Sequence, residues 1–255
     1  MAMAWMPRGE QERFLRFYPA LQAIYQQIVV AMPSDVDSAV VDRIGTLPGL
    51  TLVSRNWVSG RHVVIEEALQ VGADFAHYVD GDRLIRWIET RPDELRQVVE
   101  RIQQTDCLVL ARTEMAFNTH PLAQQQTERM SNGVCSHLLG RSLDFSAGSK
   151  AFSRAAGEFL LRNSLPGSVM GTDSEWIILL QRGGFRIDQM EVDGLDWETA
   201  DRYLDHAADV ETQKRSADNY DANPQSWSFR VQVAQEIIDA GYAALARPLI
   251  MEKEA

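Results

Sequence analysis

Apolar residues in this chain fall alternately into short runs and into stripes with helical spacing. The runs Ala2 to Met6, Ile28 to Met32, Leu50 to Ser54, Phe75 to Val79 and Cys107 to Ala111 have the length of buried strands. Between them lie the stripes Phe14, Phe17, Leu21 and Ile24, then Val64, Ile65, Ala68 and Leu69, then Leu95, Val98, Val99 and Ile102. Turn residues separate the segments at Pro7-Arg8-Gly9, Pro33-Ser34-Asp35, Pro48-Gly49 and Gly81. Pro19 predicts a kink or a break in the first helix, and Ser34 or Asp35 is placed to cap the short helix after the second strand. Pro92, with Asp93 and Glu94 beside it, opens a further helix. This alternation predicts an α/β fold with a mostly parallel central sheet flanked by helices.

The second half is less regular. Pro121 to Leu139 predicts one helix with a polar first half, Gln124-Gln125-Gln126, and an interruption near Asn132-Gly133. Leu143 to Arg154 reads as strand and loop before a helix through Phe159, Leu160 and Leu161. Gly171-Thr172-Asp173-Ser174-Glu175 precedes a helix bearing Trp176, Ile177, Leu179 and Leu180, which ends at Gly183-Gly184. Phe185 to Val192 alternates as a half-exposed strand, Asp193 to Asn223 reads as an acidic irregular segment, and Pro224 begins a final helix.

At 255 residues the chain is long enough for one α/β domain with elaborations. A net charge of −11 with no Lys/Arg cluster argues against nucleic acid as a partner, since that affinity comes from grouped cations. An anionic ligand needs local help, and Arg55, Arg61, Arg83 and Arg86 lie near the central acidic motif. Cys107 and Cys135 make neither a disulfide framework nor a zinc pattern. Met1 to Met6 is too short for a signal peptide and no run reaches the length of a membrane span, so a soluble cytoplasmic protein is expected.

The fourth apolar run ends in Asp80-Gly81-Asp82. Two carboxylates at the carboxyl end of a strand, on the edge where open α/β sheets bind ligands, suit a hard divalent cation completed by substrate phosphates. Taken in isolation, an Asp-Gly-Asp is more simply a plain solvated turn, and Asp35-Val36-Asp37 competes as an acidic pair.

Order and context distinguish them. The segment Arg55-Asn56-Trp57-Val58-Ser59-Gly60-Arg61 with Gly72-Ala73-Asp74, then Tyr78-Val79-Asp80-Gly81-Asp82, then Phe145 to Arg154 around Gly148, then Gly171 to Glu175 with Gly183-Gly184-Phe185-Arg186-Ile187, succeed one another along the chain. Together they resemble the glycosyltransferases of the GT-A fold, closest to the large inverting family-two group. The resemblance covers residues 1 to 192. It implies a catalytic domain there, with 1–112 as the nucleotide-sugar half and 113–192 as the acceptor half. Residues 193–255 are then an acidic irregular segment and a C-terminal helix packed on the same domain.

The resemblance further implies a donor that is a nucleotide-diphosphate sugar, UDP- or GDP-linked, Mn2+ or Mg2+ as cofactor, and a small-molecule or glycan acceptor. Asp82 and Asp80 are the expected metal ligands, with His206 as a late third. Arg8, Asp35, Arg61 and Asp80 are the expected contacts to the nucleotide sugar, and Asp173 the expected general base. That last role requires a pKa raised toward neutrality, and capping of the following helix explains Asp173 as well. The family's glutamate before this aspartate is Thr172 here. Two rival expectations are a sugar-phosphate nucleotidyltransferase and a catalytically silent nucleotide-binding relative. Nucleobase, sugar, acceptor, stereochemistry and homo-oligomer formation stay open.

Overall fold

The computed structural model describes residues 1–56, 59–167 and 169–251. Trp57 and Val58, within the first of the resembling segments, lie outside the described residues. Seven strands form one sheet: β1 (Ala2–Ala4), β2 (Ile28–Pro33), β3 (Leu50–Arg55), β4 (Phe75–Asp80), β5 (Cys107–Arg112), β6 (Ser149–Ser153) and β7 (Ile187–Val192), in the order β3-β2-β1-β4-β6-β5-β7. Among the described strands β6 alone runs antiparallel to its neighbours, β4 and β5. Helices cover both faces, so β2 and β5 are buried at every position, as their unbroken apolar runs require.

Register places the chemistry. Ala4 of β1 pairs with Asp80 of β4, so Trp5, Met6 and Arg8 leave the sheet beside the Asp-Gly-Asp. One face of the sheet packs on α3 (Gly60–Gln70), α8 (Arg154–Asn163), α9 (Thr172–Arg182) and α11 (Pro224–Ala246). The other packs on α1 (Gln11–Gln22), α4 (Gly81–Thr90) and α5 (Pro92–Ile102). The remaining helices are α2 (Ser38–Gly45), α6 (Glu114–Asn118), α7 (Leu122–Leu139) and α10 (Val210–Asp221).

Five expectations are corrected. Helix α1 is continuous through Pro19, which falls in its last turn, where a missing N–H ends little further helix; the Pro19 carbonyl accepts from Ala23 at 3.1 Å. The cap of α2 is Asp37, whose carboxylate accepts from Ala39 N at 2.9 Å, and neither Ser34 nor Asp35. Helix α7 runs unbroken through Asn132-Gly133, because Asn132 donates to Asp144 at 2.8 Å and accepts from Ser146 N at 3.2 Å. In place of the separating turn expected at Gly81, that glycine is the first residue of helix α4, which starts directly after β4 and is hidden in the sequence because buried Arg83 and Arg86 interrupt the apolar pattern of Leu84, Ile85, Trp87 and Ile88.

The fifth correction concerns residues 193–223, which are not irregular throughout: they carry a 3-10 turn at Glu198–Asp201 and α10. Their acids are drawn inward. Arg86 makes two 2.8 Å contacts to Asp196 and one of 2.7 Å to Asp201, which also receives Arg13 of α1 at 2.9 Å. This buried network holds the segment across the mouth of the sheet.

Candidate active site

A cleft of about 490 Å3 opens between the carboxyl ends of β1 and β4, with residues 198–202, α10 and α11 on its far side. Tyr78 and Asp80 are two apart on β4 and therefore point to one face. The Tyr78 hydroxyl donates to Asp80 Oδ1 at 2.5 Å, and Arg61 Nη2 lies 3.5 Å from both Asp80 oxygens. Arg83 Nε stands 3.8 Å from Asp80 Oδ2. Gly81 is required by close approach: a Cβ there would meet Trp5 Cγ at 2.4 Å. The Asp-Gly-Asp is thus a packed strand-to-helix junction and not a solvated turn.

Asp82 sits in the first turn of α4 and lines the same cleft. Its pKa is pushed up to about 7, by burial first and then by the carboxylates of Glu198 and Asp80. Glu198 Oε2 is buried without a hydrogen-bond partner, 3.9 Å from Arg83 Nε. Among the described residues no three His, Cys, Asp or Glu side chains stand close enough to hold a metal ion. These observations fit a cation held by two carboxylates, Asp82 and Asp80, with its other ligands taken from a bound substrate.

Asp173, in the first turn of α9, is almost wholly buried and also lines the cleft. Its Oδ1 accepts from Lys150 Nζ at 2.9 Å and from Arg61 Nη1 at 3.0 Å. Burial alone would raise its pKa, but the two cations outweigh burial and hold it below the usual carboxylate value. This environment is the reverse of the one expected for a general base at neutral pH. Nor is Asp173 the helix cap, since the N-cap position is Gly171 and no side chain caps there. Among the described residues no donor is found at its second oxygen.

Of the residues singled out from the sequence, Arg8, Arg61, Asp80, Asp82 and Asp173 all line this one cleft, and Arg61 bridges Asp80 to Asp173. Two do not. Asp35 is exposed in the turn after β2, on the far side of β1 from the junction. His206 is exposed, hydrogen-bonded to its neighbour Asp205, and is not among the residues that line the cleft. His77 is a satisfied core residue between Tyr25 and Ser149, and Trp197 is buried against Tyr220.

Sequence reasoning missed Glu198 and Arg202 at the cleft, and Lys150 as the buried partner of Asp173. Lys150 left a signal, a single cation within an otherwise buried strand. Glu198 and Arg202 left none, because a distant ion-pair network positions their segment.

No family model matches the chain, and neither does any curated protein. Among solved structures it is similar to glucosyl-3-phosphoglycerate synthase from Mycobacterium tuberculosis. Complexes of that enzyme among the matches include those with Mn2+, UDP and phosphoglyceric acid, with Mn2+, UDP-glucose and phosphoglyceric acid, and with Mn2+, UDP and glucosyl-3-phosphoglycerate. Each comparison has a TM-score of 0.54 and 12% identity, and covers 96% of this chain and 78% or 79% of the other. No helix among the described residues is long and apolar enough to cross a membrane. With its sheet order and its cleft at the carboxyl edge, the chain has the GT-A-like fold of nucleotide-diphospho-sugar transferases.

Proposed function

We propose that the protein is a glycosyltransferase that moves a sugar from a nucleotide-diphosphate donor to an acceptor hydroxyl with the help of a divalent cation. The observation that carries this reading is the convergence of Asp80, Asp82 and Asp173 on one cleft at the carboxyl edge of the sheet. Asp82 and Asp80 would hold Mn2+ or Mg2+, which supplies charge neutralisation to the departing diphosphate when bound. The solved neighbours were crystallised with Mn2+ and UDP or UDP-glucose, which supports the same donor class.

The remaining steps belong to the chain's own side chains. Arg61 fixes the spacing of Asp80 and Asp173 by pairing with both. The free oxygen of Asp173 accepts a hydrogen bond from the acceptor hydroxyl and so orients it toward the sugar carbon. A carboxylate held this acidic is a weak base. It takes the proton late, once the new carbon–oxygen bond has made the hydroxyl acidic. The bond from the sugar carbon to the diphosphate breaks, and the nucleoside diphosphate leaves.

Calorimetry with UDP and GDP, with and without MnCl2, tests the reading, together with release of nucleoside diphosphate from a panel of UDP- and GDP-sugars. Metal-dependent binding of one nucleotide and its loss in Asp82→Ala are expected. Binding that ignores the metal and survives that substitution would remove the mechanism.

A further inference from the structure

The cations that line the cleft, with Lys150 behind Asp173, divide into two groups. Arg61 is engaged by Asp173, Thr172 and Asp80, and Lys150 by Asp173 and the Phe145 carbonyl. Arg83 donates to the Ala147 carbonyl at 3.0 Å and faces Asp80 and Glu198. Arg230 meets the Tyr220 hydroxyl at 3.1 Å and Glu128 at 3.9 Å. Arg8 and Arg202 differ: both line the cleft, and among the described residues neither guanidinium has a hydrogen bond or an ion pair.

Their backbones are interlocked. Tyr203 N donates to the Arg8 carbonyl at 3.3 Å, and Tyr203 itself has φ 63, a left-handed conformation unusual for a tyrosine. Gly9, at φ +100, leaves no room for a side chain: a Cβ would lie 2.9 Å from Tyr203 Cδ1 and 3.0 Å from Tyr203 Cα. Strain of this kind persists only where surrounding structure enforces it. Here that structure is the buried network of Arg13, Arg86, Asp196 and Asp201. Two like charges are therefore presented side by side from separate segments. Burial, and then the proximity of Arg8, lower the pKa of Arg202, while Asp82, Glu198 and Glu10 oppose that shift.

We propose that Arg8 and Arg202 form a two-sided clamp for the diphosphate of the donor, opposite the carboxylates of Asp80 and Asp82. The assignment rests on the glycosyl-transfer reading for the identity of the anion. Guanidinium groups suit it because their forked donors match phosphate oxygens. Two unpaired arginines close enough to sense one another's charge repel, and an anion of charge two or more bound between them removes the repulsion. The nearby carboxylates would repel the same anion, so the clamp works fully only when a divalent cation covers them. Diphosphate and metal consequently strengthen one another's binding.

The test is calorimetry on the full chain and on Arg8→Gln and Arg202→Gln, at two salt concentrations and with MnCl2. Thermal melting checks that each variant is folded. The titrants are UDP, uridine, inorganic pyrophosphate and 3-phosphoglycerate. The clamp predicts that each variant binds UDP and pyrophosphate about tenfold or more weakly, with a shallower salt dependence, while uridine binding is unchanged. UDP and pyrophosphate affinities within twofold of wild type in both variants would overturn it. Loss confined to 3-phosphoglycerate would overturn the assignment to the donor and move the anion to the acceptor. Arginine-dependent pyrophosphate binding in a protein that turns over no nucleotide sugar would keep the clamp and refute the transferase reading.

Discussion

Lys150 Nζ lies 2.9 Å from Asp173 Oδ1, with both side chains almost wholly withdrawn from water. The pair couples β6 to the start of α9, and Arg61 joins it from α3 at 3.0 Å. Removing the carboxylate leaves Lys150 buried without its counter-ion and Arg61 with only the longer 3.5 Å ion pair to Asp80. Asp173→Asn is expected to lower stability by about 3–5 kcal/mol at pH 7, read from urea unfolding. Because the Asp173 pKa is depressed, its stabilisation is present above the ordinary carboxylate value of 3.8 and fades as pH falls through the lower folded value. The gap between wild type and variant should therefore narrow below about pH 4. Equal stability at pH 7 would rule out the structural role.

Asp82 has the opposite sign. With a folded pKa of about 7 against 3.8 for an ordinary aspartate, its ionisation opposes folding increasingly from pH 4 to 7 and by a constant amount above. Metal-free Asp82→Asn should thus be more stable than wild type at pH 8, by about 1 kcal/mol or more, and the advantage should shrink at pH 5. MnCl2 should raise the melting temperature of wild type and leave that of the variant nearly unchanged. A variant stabilised equally by Mn2+ would show that Asp82 does not hold the ion.

The roof of the cleft depends on Arg86, which is buried between Asp196 and Asp201. Arg86→Met strips both carboxylates of their main partner. A loss of about 3–5 kcal/mol is expected, with new proteolytic cleavage between residues 196 and 209 while the sheet stays protected. Unchanged cleavage in this segment would mean that the network does not hold the roof.

Buried histidines set the acid limit. His77 accepts or donates at both ring nitrogens, to Tyr25 at 2.7 Å and Ser149 at 2.9 Å, and burial lowers its pKa to about 3. His62 is lowered to about 4, by burial first and by Arg61 next. The unfolded chain binds these protons near pH 6.5 and the folded chain does not, so stability rises with pH between these limits. Each such histidine adds a slope of about 1.4 kcal/mol per pH unit. His77→Gln should lower stability at pH 7 and flatten the decline from pH 6 to pH 4, as chemical denaturation at several pH values would read. An unaltered slope would show that His77 titrates normally.

Most of the order of strands and helices was legible from residue 2 to residue 192, because runs of buried strand length and stripes of helical period are local properties of the chain, but α4 and the short α6 were not foreseen. Asp80-Gly81-Asp82 was legible for the same reason: a strand's end and two carboxylates are adjacent letters. Local pattern misled where a polar residue had a distant partner. Asn132 looked like a break until Asp144 and Ser146 satisfied its amide, and residues 193–223 looked solvated until Arg13 and Arg86 claimed their acids.

What the letters by themselves determined was therefore the α/β alternation and a carboxylate pair at a strand's end. Tertiary structure alone decided that Asp173 faces two cations, that Asp35 and His206 lie away from the cleft, and that Arg8 meets Arg202. The reason is physical. Period and propensity act over a few residues, whereas charge and burial act through space, between groups such as Arg13 and Asp201 that the chain separates by 188 positions.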